Sequence, residues 1–91
     1  MRYSAEAKVD LTDIASHIAQ DKPQAARRWL HKIRDKCRFV SSQPDIGDPR
    51  DELGAGVRAV AFGRYVIFFR HGANEVQIVR ILPGDRDPTL L

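Results

Sequence analysis

The apolar residues change their spacing once along this chain, and the change falls across a stretch that cannot be regular. Leu11, Ile14, Ala15 and Ile18, then Ala26, Trp29, Leu30, Ile33, Cys37 and Val40, recur at intervals of three and four, the period of a helix face. From Val57 onward the pattern becomes short apolar runs separated by turn residues, the pattern of strands. Between them lie Pro44, Gly47, Pro49, Gly54 and Gly56, with Asp45, Asp48, Asp51 and Glu52. Proline and glycine at that density break both kinds of element. A helical half followed by a β half excludes all-α and all-β folds. It predicts an α+β domain, with the helices laid on one face of a sheet. At 91 residues the chain has room for one such domain, spanning 1–91.

The element ends can be read from their punctuation. Residues 1–4 allow a short first strand. Ser4 is placed to cap a helix from Ala5 to about Ala19. Asp21-Lys22-Pro23-Gln24 resembles a second helix start, with Asp21 as cap, Pro23 in the first turn and Gln24 closing a capping box. That helix runs to about Ser42, and the short link predicts an antiparallel helical hairpin. Val57–Phe62 and Tyr65–Arg70 flank Gly63-Arg64, a two-residue hairpin of the II′ kind, which places glycine first. Tyr65–Phe69 is apolar on both faces and reads as the central strand. Glu75–Leu82 is the last strand, and Pro83-Gly84 ends it before a charged tail. The expected order is (β)ααβββ, a helical hairpin packed on a small antiparallel sheet.

Composition narrows the chemistry. No apolar run approaches the roughly 18 residues of a membrane span, and the first residues lack the apolar stretch of a signal peptide. The single cysteine, Cys37, cannot form an internal disulfide, which suits a reducing cytoplasm. His17, His31 and His71 fall in different elements, so neither a metal site nor a cofactor is expected. The net charge of +3 is mild, but its distribution is not. Residues 22–38 hold Lys22, Arg27, Arg28, Lys32, Arg34, Lys36 and Arg38 against Asp35 alone. From Leu53 onward every basic residue is arginine: Arg58, Arg64, Arg70, Arg80 and Arg86. Arginine suits bidentate contact with carboxylate or phosphate, although salt bridges to nearby acids are the alternative. On the second helix Arg27, His31, Arg34 and Arg38 form one basic column, and Arg28, Lys32 and Lys36 a second. Each is either a solvated face or a contact for an acidic segment or DNA. Trp29 and Cys37 lie on the apolar stripe and are expected in the core. Alternation groups Arg58 with Val60 and Phe62, and Arg70 with Val66 and Phe68, placing both near strand ends. It leaves the position of Arg80 open.

Taken in order, Ala7–Ile14, Pro23-Gln24-Ala25-Ala26, Gln43–Gly47, Gly56-Val57-Arg58, Gly63–Arg70, Ile78–Leu82 and Gly84-Asp85-Arg86-Asp87 resemble the ParE branch of the RelE/ParE toxin superfamily. The resemblance covers roughly residues 5–88. It implies the toxic component of a bacterial type II toxin–antitoxin module. The expected partners are DNA gyrase as target and a ParD-like antitoxin, in a heterotetramer or higher assembly that touches operator DNA only through the antitoxin. RelE-like members instead cleave mRNA. They use a basic residue on the second sheet strand, a Tyr-Arg pair opening the third, an arginine after the last strand and a C-terminal tyrosine. Here Arg58 and Arg86 match, but Tyr65 is followed by Val66 and the tail carries no tyrosine. General acid–base cleavage needs a proton-transfer partner, and none is in place. The expectation is therefore no catalytic residue, with mRNA cleavage or a non-toxic antitoxin-binding module as alternatives. Arg80, Arg86 and Asp87 are the expected target contacts. Arg28, Lys32, Lys36, Arg58, Tyr65 and Arg70 are the expected antitoxin contacts.

Overall fold

The computed structural model describes residues 1–43 and 45–88. The elements are β1 (Arg2–Tyr3), α1 (Ala5–Ala19), α2 (Pro23–Ser42), β2 (Asp48–Pro49), a single 3-10 turn (Asp51–Leu53), β3 (Val57–Phe62), β4 (Tyr65–His71) and β5 (Val76–Pro83). Ser4 makes the first corner. Its Oγ accepts from the Ala7 N–H at 2.9 Å, capping α1, and donates to the Val79 carbonyl at 2.7 Å. Its own N–H donates to the Ile78 carbonyl. One serine thus ends β1, starts α1 and fastens both to β5.

The second helix begins differently from its sequence signature. Asp21 is not the cap and the Asp21/Gln24 box does not form. Lys22 occupies the cap position at φ −141°, ψ 82°, with no side-chain bond, and Pro23 opens the helix. A residue before proline is excluded from helical geometry by the ring, so Lys22 is driven to the extended conformation that a cap requires. Asp21 is left in the closing turn of α1, its N–H on the Ile18 carbonyl.

The sheet is larger than the expected antiparallel meander and is mixed. Its order is β1-β5-β4-β3-β2, with β1 parallel to β5 and every other pair antiparallel. β1 is the short first strand that residues 1–4 allowed, though parallel to β5, while β2 is additional and at two residues is below the length at which alternation is readable. Gly63 has φ +58° and Arg64 is not left-handed, which makes the β3–β4 turn type II′ as expected. β4 is central, and Ile67, Phe68 and Phe69 are all buried because both faces are covered.

The helix-side core contains Ala7, Leu11, Ile33, Cys37, Val40, Ile67, Phe69, Val76, Ile78 and Ile81. A smaller cluster on the opposite face joins Val57, Ala59, Phe68 and Leu82, with Leu53 packed on it from the 3-10 turn. The Arg50 guanidinium lies 5.9 Å from the centre of the Phe68 ring on the same side. Ile78 and Ile81 are an odd number apart yet share the helix-side core. A β-bulge explains this. Phe68 pairs with Arg80 and Phe69 with Ile78, so Val79 is the extra residue that shifts the phase of β5.

Candidate functional site

Two clefts and two cationic columns are the features with chemical potential. The first cleft lies between α1 and the open ends of β4 and β5. It has two adjoining chambers. One is about 560 Å³ and lined by His17, Arg64, Tyr65, Pro83 and Asp85. The other is about 230 Å³, where Asp13, Ile14 and His17 face Tyr65, Pro83 and Arg86. The tail folds back to complete it: the Gly84 N–H donates to the Arg64 carbonyl at 2.8 Å and the Arg86 N–H to the Pro83 carbonyl at 3.0 Å. The short bonds explain why residues 84–86 hold a shape without contributing to the core.

The second cleft is a groove of about 370 Å³ lined by Ile18, Trp29, Lys32, Phe62, Gly63, Arg64 and Tyr65. Trp29 is half-buried rather than fully enclosed. It meets Tyr65 edge-on at 5.4 Å and Phe62 at 6.5 Å. The floor is aromatic and the rim carries Lys32 and Arg64. Such a site suits an apolar side chain on an acidic segment.

The expected site residues divide accordingly. Arg86 and Tyr65 meet in the first cleft, and Tyr65 and Lys32 in the second. Arg28 and Lys32 are exposed on α2, and Lys36 is half-buried with its ammonium 5.3 Å from the Phe39 ring centre. Arg70 is exposed at the end of β4 and reaches Gln77 Oε1 at 3.3 Å. Asp87 is exposed beyond the Arg86 turn. Thr89, Leu90 and Leu91 lie outside the described residues.

Two arginines are already engaged within the fold. The Arg58 guanidinium donates to the carbonyls of Asp45, Ile46 and Gly47 at 2.7, 2.8 and 2.9 Å, clamping the loop before β2. Arg80 forms a fork with Asp10, Nε to Oδ2 at 2.8 Å and Nη2 to Oδ1 at 3.0 Å. Asp10 Oδ2 also accepts the Ile81 N–H at 2.9 Å. The hydrogen bond to Asp10 holds the Arg80 guanidinium above its ordinary basicity, against the opposing effect of burial. Arg80 therefore joins α1 to β5, and the alternation that left its position open could not show this because the bulge intervenes.

Sequence reasoning missed Asp10, Asp13 and His17. Asp10 carried a usable signal: a lone carboxylate in helical phase with Ala7, Leu11 and Ile14 requires a partner when buried. His17 carried none, because its importance comes from the strand ends that face it.

A profile of the ParE toxins of type II (parDE) toxin–antitoxin systems matches residues 1–88. The chain belongs to the ParE toxin family. Toxin ParE1 of Caulobacter vibrioides is 33% identical over 82 residues, covering 89% of this chain and 84% of that protein. A segment making up 2% of the nonribosomal peptide synthetase lenA of Aspergillus lentulus is 24% identical over 86 residues. A chain from the solved chromosomal ParDE system of P. aeruginosa shares the fold, with a TM-score of 0.78 at 23% identity over 90% of this chain and 91% of that one. This ParE-family chain is thus a toxin of a ParDE-type module, and that membership implies an antitoxin partner. Among the described residues no helix is long and apolar enough to cross a membrane.

Proposed function

We propose that this toxin acts by binding DNA gyrase directly, without catalysis of its own, and is neutralised by a ParD-like antitoxin that folds onto it. The observation that carries the non-catalytic reading is the state of Arg58. It is the residue that a RelE-like nuclease would use on this strand to hold phosphate. Here its guanidinium is committed to three backbone carbonyls. Tyr65, which opens the following strand, packs on Trp29 and is followed by Val66 rather than arginine.

The antitoxin segment is assigned to the aromatic groove and the column Arg28, Lys32 and Lys36. Tyr65 lies at the groove, and Arg70 extends the cationic surface at the far end of β4. The target surface is assigned to the tail and the first cleft, through Arg86 and Asp87. The fork with Asp10 gives Arg80 the task of holding β5 beneath that surface. The expected assembly is a heterotetramer or a multiple of it, cytoplasmic, with operator contacts made by the antitoxin. The test is supercoiling by purified gyrase with and without the toxin. Accumulation of cleaved DNA and loss of supercoiling are expected. Unaffected gyrase, together with codon-specific mRNA cuts in a translating extract that vanish on Arg86→Ala, would replace this reading with the nuclease.

A further inference from the structure

The sheet has two edges, and the fold treats them differently. Beyond the two residues of β1, the outer side of β5 is met by Ser4, which donates to the Ile78 and Val79 carbonyls, and by Asp10, which accepts the Ile81 N–H. On the other edge, Gly63-Arg64 is a two-residue turn, so Phe62 and Tyr65 are the hydrogen-bonded pair that closes it. Bonded and non-bonded pairs alternate in an antiparallel ladder. Val60 and Arg58 therefore also bond to β4, while Val57, Ala59 and Ala61 turn their N–H and C=O away from it. The Arg50 N–H meets the Val57 carbonyl at 2.7 Å, and Asp48 of β2 pairs with Ala59. The same register continued would bring Ile46 to Ala61. Gly47 at φ +81° turns the chain aside instead. The Ile46 N–H donates to the Gln43 carbonyl at 3.1 Å, and the Ile46 carbonyl accepts from Arg58 at 2.8 Å. Among the described residues nothing pairs with the outward N–H and C=O of Ala61, which is exposed. Open edges are normally blunted by lysine, proline or a bulge, and Val60-Ala61-Phe62 has none of these.

A strand edge selects the class of its ligand. It presents main-chain donors and acceptors together, which an extended peptide matches and a phosphate backbone, having acceptors alone, does not. The surroundings narrow the choice further. Phe62 lines the aromatic groove with Trp29, and that groove carries Lys32 and Arg64 but no acid. Trp29, Lys32, Lys36 and Phe39 recur at intervals of three, four and three along one flank of α2, and Phe39 is 48% exposed. A second copy of this chain would bring the same cations against themselves. An acidic segment with apolar residues at alternate positions fits both the groove and the charge.

We propose that an extended acidic segment of the antitoxin adds to the sheet as a strand beside Ala61, through main-chain hydrogen bonds, with alternate side chains laid into the aromatic groove. This deepens the antitoxin reading above and rests on it. The added strand takes the place in the sheet that the chain leaves at Gly47.

The test uses the full chain, isotope-labelled, alone and saturated with the antitoxin encoded beside it, read by amide hydrogen exchange. The Ala61 amide is expected to exchange rapidly in the free toxin and at least about a hundredfold more slowly in the complex. Ala61→Pro removes the outward donor and leaves the bonds of Val60 and Phe62 to β4 in place. It is expected to weaken antitoxin binding about tenfold in calorimetric titration. Ala61→Val keeps the donor and is expected to bind within about twofold of the parent. Should the proline variant lose its folded circular dichroism, the exchange of the parent toxin decides alone. An antitoxin that binds while Ala61 exchanges as in the free toxin overturns the proposal and leaves the antitoxin reading standing. So does a folded proline variant of unchanged affinity. An antitoxin that does not bind at all overturns both. Protection of Ala61 that grows with toxin concentration in the absence of antitoxin makes the occupant a second copy and overturns the proposal as well.

Discussion

Asp10 uses both carboxylate oxygens to join the first helix to the last strand. Removing it leaves Arg80 and the Ile81 N–H without an acceptor in a largely buried place. Breaking one side of such a pair costs far more than the pair itself contributes, so Asp10→Ala should destabilise the fold by about 3 kcal/mol in urea titration. The paired change Asp10→Leu with Arg80→Met should recover much of that loss. A second residue-scale prediction concerns Cys37 and Tyr3. Burial pushes the Cys37 thiol up to about 11 from its ordinary 9.0. Burial, and then the neighbouring Cys37, push the Tyr3 phenol up to about 12 from 10.0. The Tyr3 hydroxyl lies beside the Cys37 thiol. Both groups hold their protons more tightly when folded. Their contribution is therefore complete below pH 9 and is lost as pH rises towards 12. Thermal melts should show this alkaline loss, and Cys37→Ala should remove its lower part, which begins near pH 9. In the native protein at pH 8 a thiol reagent should leave Cys37 unmodified until the chain unfolds.

At the scale of elements, the segment before β3 is an ordered loop held by two devices. Arg58 supplies donors to three successive carbonyls, and Gly47 brings the backbone against β3. At φ +81°, a Cβ on Gly47 would lie 2.5 Å from the Ala59 carbonyl oxygen and 2.7 Å from Val60 Cγ2. Gly47→Ala is therefore both strained and obstructed, and should cost about 2–3 kcal/mol. Gly63 is the control. Its φ is +58° but nothing lies within 4 Å of its absent Cβ, so Gly63→Ala should cost about 1 kcal/mol, from backbone conformation alone. Equal losses in the two variants, measured by denaturant midpoint at constant m, would refute the close approach at Gly47. The loop was legible as irregular because proline and glycine are unmistakable. Its pairing as β2 was not, because two residues carry no period and the Arg58 bonds that hold it cross from residue 58 back to 45–47.

On the scale of the whole molecule, the proposed division of surfaces predicts separable losses. Truncation after Pro83 removes the Gly84 bond to Arg64 and the Arg86 wall of the first cleft, and among the described residues it removes none from either buried cluster. It should abolish toxicity on expression while leaving far-UV circular dichroism and antitoxin binding intact. A truncated toxin that still kills would move the target surface elsewhere. Charge reversal of Arg28 and Lys32 to glutamate should do the opposite. It should weaken antitoxin binding tenfold or more at low salt and progressively less as salt screens the contact, with toxicity retained.

The sequence alone determined the order of the main elements, the two apolar stripes, the central position of β4 and the family, because periodicity and turn chemistry are local properties of neighbouring residues. It also singled out Arg86 in the charged tail after the last strand, and Arg58 and Arg80, since arginine in a strand needs an anion or a carbonyl. Only the tertiary structure decided which one. Arg80 found Asp10 from 70 residues away, Arg58 found its own loop, and Arg86 was left at a cleft. The parallel β1, the bulge at Val79 and the meeting of His17 with Tyr65 belong to the same class. Each arises between residues distant in the chain, where the energy depends on packing geometry and not on any spacing that the sequence displays.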